Sequence, residues 1–179
     1  MKALIVVDVQ VDFCEGGALA VTGGNAVAEK IAALLSGEHG YDAVVATRDH
    51  HIDPGPHFSD TPDYVDSWPP HCVVGTPGQD LHPALGDVAF DAVFDKGSYT
   101  AAYSGFEGTE ASGLGLAEWL RGRGVTAVDI AGIATDYCVL ATARSAREEG
   151  FDTRVLVDLT AAVHPDRVAG VAAEFGARQ

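Results

Sequence analysis

Cys138, Asp8 and Lys96 are the residues whose types and positions could carry covalent chemistry. Cys138 comes just after Ala127–Ala131, which reads as a strand, and the turn that follows it. It should therefore lie in the first turn of a helix, where unpaired backbone N–H groups and the helix dipole favour thiolate over thiol. A thiolate there is a nucleophile; a buried, inert cysteine is the competing reading of a lone Cys. The same N–H groups, with one from the Ile133-Ala134 turn, could cradle a developing oxyanion. Asp8 ends the run Leu4–Val7. A partly buried carboxylate beside a thiol has its pKa raised towards the range of a general base, although Asp8 could equally cap a loop. Asp12, four residues on, reads as a cap for the next turn. Lys96 is one of three lysines, and a cation placed between Asp8 and Cys138 would stabilise both anionic forms.

A second group of residues points to a metal. Asp49, His50, His51, His57 and His71 fall within one Pro- and Gly-rich stretch. Asp49 and His51 are two apart on an extended segment, so their side chains point the same way and His50 points away. Histidines with a carboxylate beyond a strand end suit Zn(II), Fe(II) or Mn(II), and affinity order alone does not choose among the three. The aromatics Phe13, Trp68, Tyr99 and Tyr103 lie in loops near these groups and could wall a flat pocket, Phe13 and Trp68 above all. Neither Gly-Gly pair fits a dinucleotide or P-loop fingerprint, so no nucleotide cofactor is expected.

These groups need elements to position them. Ala3–Val7 is a continuous apolar run, as in a strand buried on both faces of a parallel sheet. Val27, Ile31, Leu34 and Leu35 recur at helical spacing, with Asn25 as N-cap. Ala43–Thr47 reads as a second strand. The segment 48–83 is dense in Pro, His, Asp and Gly, a loop long enough to expect ligands in it. Ala92–Phe94, Ala127–Ala131 and Arg154–Val157 read as further strands. Leu116, Trp119 and Leu120 mark one helix face, Asp136–Glu149 another helix, and Val168, Val171, Ala172 and Phe175 a last one. Alternating strand and helix predict a three-layer α/β/α sandwich on a mostly parallel sheet, as one domain over 1–179. Such sheets bind ligands beyond the carboxyl ends of their strands, where Asp8, Lys96 and Cys138 all fall.

The bulk numbers agree with a globular domain: 179 residues, 21% charged and 47% hydrophobic. A net charge of -15 repels phosphate backbones, which excludes nucleic acid and anionic membrane as expected partners. The N-terminal apolar run is too short for a signal-peptide core or a bilayer span. Three cysteines, Cys14, Cys72 and Cys138, leave an odd count that suits a reducing compartment. A cytoplasmic protein acting on a small molecule is expected, as a monomer or small homo-oligomer.

Five segments taken together resemble one family: Asp-Val-Gln-Val-Asp-Phe-Cys (8–14), Thr-Arg-Asp-His-His-Ile-Asp-Pro-Gly-Pro-His-Phe (47–58), Trp-Pro-Pro-His-Cys (68–72), Lys-Gly-Ser-Tyr (96–99) and Gly-Ile-Ala-Thr-Asp-Tyr-Cys-Val (132–139). In order and spacing they are similar to the nicotinamidases/pyrazinamidases of the isochorismatase-like cysteine hydrolase superfamily. The resemblance implies a Cys138–Asp8–Lys96 triad, a divalent metal held by Asp49, His51, His57 and His71, and a cis peptide between Ile133 and Ala134 that aims the Ala134 N–H at the oxyanion beside that of Cys138. It further implies a substrate ring held between Phe13 and Trp68, with Tyr103 and Ile133 also at the pocket, and a role in NAD salvage. Tyr137 stands where relatives often have His and is expected no nearer than behind the pocket's lining. Another amidase of the superfamily would keep the triad without the His-rich loop, an isochorismatase proper does not need the cysteine, and a silent binding protein would need neither.

Overall fold

The computed structural model describes residues 1–177; the last two residues of the domain expected over 1–179 lie outside the described residues. Five strands, β1 (Lys2–Val7), β2 (Ala43–Asp49), β3 (Ala92–Lys96), β4 (Ala127–Ile133) and β5 (Asp152–Ala161), form one sheet in the order β3-β2-β1-β4-β5. Every pairing is parallel. β1 lies at the centre and its last five residues are fully buried or nearly so, as the unbroken apolar run predicts for a strand covered on both faces.

Helices make the outer layers. α1 (Gly24–Leu35) puts Val27, Ala28 and Ile31 onto one face of the sheet, against Leu4 and Val6. α2 (Leu116–Gly122), α3 (Leu140–Glu148) and α4 (Val168–Phe175) cover the other, where Trp119, Leu120, Ala143, Val171 and Phe175 meet Ala3, Ile5 and Val7. Alternate residues of β1 thus serve two cores, the period-two geometry of a strand. The three-layer α/β/α architecture expected from the sequence is the one observed.

The strands run further than their apolar cores suggested. β2 continues through Arg48 and Asp49, β3 through Asp95 and Lys96, and β4 through Gly132 and Ile133. Apolar patterning stops where a strand enters the polar crevice, but the hydrogen-bonded ladder does not, and Asp49 still pairs with Lys96. β5 begins two residues earlier and ends four residues later than expected, with its register against β4 shifted between Ile130 and Gly132. The N-cap of α1 is also corrected. Gly23 occupies it, and the carboxylate of Glu15 accepts from the N–H groups of Gly23 (2.6 Å) and Asn25 (2.7 Å). Asn25 Oδ1 instead accepts from His82 Nε2 at 3.0 Å. A residue ten positions upstream caps the helix, which a local pattern cannot reveal.

Candidate active site

The crossing from β3 to β4 carries the chain past β1, so β1 and β4 meet where the topology switches sides. Crevices of this kind form beyond the carboxyl ends of the strands. Asp8 follows β1 directly, Asp49 and Lys96 end β2 and β3, and Cys138 sits in a π-helical turn (Thr135–Val139) between β4 and α3. In that wider turn Val139 N–H bonds the Ala134 carbonyl at 3.1 Å; such turns recur at functional sites. The Ile133–Ala134 peptide is cis. Gly132, at φ +121°, lies so close to β1 that a Cβ on it would stand 2.1 Å from the Val7 carbonyl oxygen.

Lys96 joins the three groups. Its ammonium lies 2.9 Å from Asp8 Oδ2, 3.9 Å from Cys138 Sγ and 3.0 Å from the Ala102 carbonyl, and it pairs with Asp49 Oδ1. Asp8, Asp49 and Lys96 are all buried. Burial alone would lower the Lys96 pKa, but Asp49, Asp8 and Cys138 outweigh it and hold the ammonium well above its usual value. Burial likewise opposes ionisation of Asp49, yet Lys96 and the neighbouring histidines keep that carboxyl well below the usual range. Asp8 comes out the other way: burial raises its pKa, Lys96 lowers it, and the result lies above the ordinary carboxylate value. A hydroxyl from Thr47 donates to Asp8 Oδ1 at 2.6 Å.

The thiol departs from expectation. Burial pushes the Cys138 pKa well above its ordinary value, and the nearby Asp8 and Asp49 add to this while Lys96 works against it. The turn's N–H groups and dipole do not outweigh a fully buried position. The site thus favours the protonated form of Cys138, with Asp8, whose own pKa is raised, beside it.

Next to Lys96 the three imidazoles converge. His51, His57 and His71 each bring one ring nitrogen into a group whose members lie within 4.8 Å of one another. Asp49 Oδ2 is 3.3 Å from His51 Nε2 and 3.6 Å from His71 Nε2. The Gly97 carbonyl accepts from His51 Nδ1 at 2.6 Å, and the Pro69 carbonyl from His71 Nδ1 at 2.8 Å. Those bonds orient the rings and turn both Nε2 atoms towards Asp49, the arrangement that metal-ligating histidines adopt. Gly97, at φ +77°, is required for it, because a Cβ there would stand 2.8 Å from the His51 ring. His57 is held neutral, its pKa lowered to about 4 by burial and by His71 and His51. His51 Nε2 and His57 Nδ1 are buried with no hydrogen-bond partner. Orphaned ring nitrogens beside an ionised carboxylate fit a divalent cation with three N ligands and one O ligand.

The 48–83 segment holds this cluster by backbone bridges. His51 pairs with Val73 and Phe58 with Trp68, both in parallel, with His51 N–H to Cys72 O at 3.1 Å and Trp68 N–H to His57 O at 2.8 Å. His51 and His57 are thereby tied to the far half of the loop, which carries His71. Asp12 caps as expected, accepting from Ala18 N–H (3.1 Å), and it also reaches Cys72 N–H (2.8 Å), beside His71.

A cavity of about 270 Å³ opens onto both groups, near the lower bound for small-molecule sites. Asp49, His57, His71 and Cys138 reach it, with Phe13, Trp68, Tyr103, Ile133 and Ala134 in its walls. Two expectations are corrected here. Tyr99 is 70% exposed and takes no part. Tyr137 is not behind the lining but in it, edge-on to Trp68 (5.3 Å between centroids) and stacked near Tyr103 (6.2 Å). The π turn rotates its ring inward beside Cys138. Three residues went unremarked in the sequence: Thr47 at Asp8, Gln10 at Asp49, and Asp136, whose carboxylate accepts from Val163 (2.9 Å) and His164 (3.0 Å) N–H and so fastens the cavity's outer wall to the turn of Cys138.

An isochorismatase-domain family model matches residues 2–175. The chain belongs to that family. It is 60% identical to the nicotinamidase/pyrazinamidase of Mycobacterium tuberculosis over 98% of this chain and 94% of that one, and 35% identical to the nicotinamidase of Escherichia coli over 88% and 81%. Among solved structures it resembles a protein from L. infantum in complex with nicotinate (TM-score 0.82, 37% identity, 97% of this chain and 87% of that chain). The pyrazinamidase of Pyrococcus horikoshii in complex with zinc is also similar (TM-score 0.80, 37% identity, 97% and 93%). Among the described residues no helix is long and apolar enough to cross a membrane.

Proposed function

We propose that the protein is a metal-dependent cysteine amidohydrolase that converts nicotinamide to nicotinate and ammonia, accepts pyrazinamide, and serves NAD salvage. The observation that carries this reading is that Cys138 and the ligand candidates Asp49, His57 and His71 line one small cavity with aromatic walls. The relatives named nicotinamidase support the choice of amide.

In this reading Asp8 takes the proton of Cys138, and the thiolate attacks the carboxamide carbon. The oxyanion is received by the N–H groups of Ala134 and Cys138. Asp8 returns the proton to the leaving ammonia, then activates the water that cleaves the thioester. Lys96, fixed by two carboxylates, stabilises the negative charge as it moves between Asp8 and sulfur. Phe13 and Trp68 flank the substrate ring. A divalent ion held by Asp49, His51, His57 and His71 would supply a Lewis acid for the ring nitrogen; zinc, iron and manganese all suit the donors. Three buried, unpaired cysteines suit a cytoplasmic enzyme.

Ammonia release from nicotinamide, compared between wild type and Cys138→Ala with Zn(II), Mn(II) or Fe(II) added in turn, tests the proposal. Turnover by the wild type alone is expected. A folded wild type with no turnover under any metal overturns the substrate, an active Cys138→Ala overturns the nucleophile, and a chelated protein with undiminished kcat/KM overturns the metal's part.

A further inference from the structure

We propose that Gln10 is a positioning residue for the metal-ligand cluster, its buried amide clasping the backbone of Asp49 where the sheet no longer can. The inference rests on the reading that Asp49 and the three histidines hold a divalent ion.

The need for such a clasp follows from register. β1 pairs with β2 only as far as Val7 opposite Thr47, because Asp8 turns the chain away at φ 49°. On its other side β2 remains paired to the end, Asp49 opposite Lys96. In a parallel ladder one residue's N–H and C=O face the same neighbour and the next residue's face the opposite one. Thr47 bonds towards β1, and Asp49, two residues on, faces that same side after β1 has gone. Its buried N–H and C=O would be orphaned there, which is unfavourable for each group.

Gln10 takes the place of the missing strand. Its Oε1 accepts from Asp49 N–H at 2.8 Å and its Nε2 donates to the Asp49 carbonyl at 2.9 Å, closing a ring of two bonds with one residue. The second Nε2 hydrogen goes to the Gln79 carbonyl at 2.9 Å. Both donors of the amide are therefore used, and Gln10 is fully buried. Gln10 is itself fixed by its N–H to the Asp8 carbonyl (2.9 Å) and by a bridge to Leu81. Asp49 cannot slide along or rotate about the end of β2 without breaking both bonds of the ring. Its carboxylate is consequently held with one oxygen on Lys96 and the other towards His51 and His71. No side chain other than a primary amide of this length offers a donor and an acceptor in that geometry.

Two variants separate positioning from bulk packing. Gln10→Met keeps the length and loses all three bonds; Gln10→Glu keeps the acceptor and sets a carboxylate against two carbonyls. Zn(II) is titrated into each metal-stripped protein against a chromophoric chelator, and iodoacetamide labelling of Cys138 and urea unfolding are followed in the same metal-free samples. The expected result is a 10- to 100-fold loss of Zn(II) affinity in both variants, the range found when groups that orient metal ligands are removed, with Cys138 labelling at the wild-type rate. Unchanged affinity in a wild type that binds Zn(II) overturns the inference alone, whereas a wild type that binds none overturns it together with the metal reading. Affinity lost only in step with faster labelling and lower stability overturns it too, as does failure of both variants to fold without metal, since Gln10 would then serve folding in general.

Discussion

Thr47→Val offers a direct measure of the environment of Asp8, the base of the proposed reaction. The substitution removes one hydroxyl at nearly constant volume. Valine is preferable to alanine because the Thr47 methyl is packed against Gly105, where a Cβ would come within 2.7 Å of it. The bond lost is the 2.6 Å donation to Asp8 Oδ1, between two fully buried residues. A hydrogen bond to a charged acceptor contributes about 1.5–3 kcal/mol and one between neutral groups about 0.5–1.5, so the cost depends on whether Asp8 is ionised. Its folded pKa lies above the ordinary value of 3.8. The native state therefore loses stability on this account as pH rises from the ordinary value through the raised one. Thr47 opposes that loss by favouring the anion, and without it the loss grows. Urea unfolding should show Thr47→Val destabilised by about 0.5–1.5 kcal/mol on the acid side of the Asp8 titration and by about 1.5–3 kcal/mol on its alkaline side, at an unchanged m value. The acid limb of kcat/KM should move to higher pH, because Asp8 then ionises later. An equal loss on both sides, or a limb that moves to lower pH, would refute the assignment of Asp8 as the ionising group that Thr47 serves.

Asp136→Ala should release the Val163–His164 wall, leaving two N–H groups partly open to water. We expect a stability loss of about 1–2 kcal/mol and a rise in KM for nicotinamide larger than the fall in kcat, and steady-state kinetics showing the reverse order would place Asp136 with the turn of Cys138 instead of the wall. Gly132→Ala should cost on the order of 4 kcal/mol or more, because its Cβ would meet the Val7 carbonyl, backbone of the central strand, at 2.1 Å and its φ of +121° disfavours any side chain. A urea midpoint close to wild type would show that β4 can move away from β1.

Much of this molecule can be read from the chain, and what cannot has a common cause. Ala3–Val7 announces a central strand because burial on both faces demands unbroken apolarity, and α1 is legible because one face alone is buried. The ends of β2 and β3 are not, because Asp49 and Lys96 belong to the ladder by backbone and to the crevice by side chain, so apolar patterning ends before the strand does. Asp8, Lys96 and Cys138 stand out as reactive side chains at or just beyond the ends of strand-like segments, and the histidines as a group. The residues that hold them are quieter. Gln10 lies between Val9 and Val11, and a polar amide flanked by valines just after a buried strand is a signal of an enclosed partner; which partner, 39 residues away, depends on register. Tyr137 escaped because its direction is set by the π turn, and helical periodicity would have turned it elsewhere.

Asp49 is where the two halves of the site become one. One carboxylate oxygen serves Lys96 and the other faces the histidines, in a contact spanning 47 residues of sequence. Asp8 and Asp49 together carry one more charge than Lys96 cancels whenever both are ionised, and His57, held neutral, adds nothing to offset it. Buried charge without a counter-charge is unfavourable unless the group protonates or a cation enters. Asp49 is kept ionised by Lys96, and Asp8 is the carboxyl whose pKa rises. The surplus is thus resolved within the fold by biasing one aspartate towards the proton and the other towards the anion. That division gives the site a carboxyl biased towards the proton next to its thiol and, on the far side of the same lysine, an anion among imidazoles that is suited to a cation by charge as well as by ligand type.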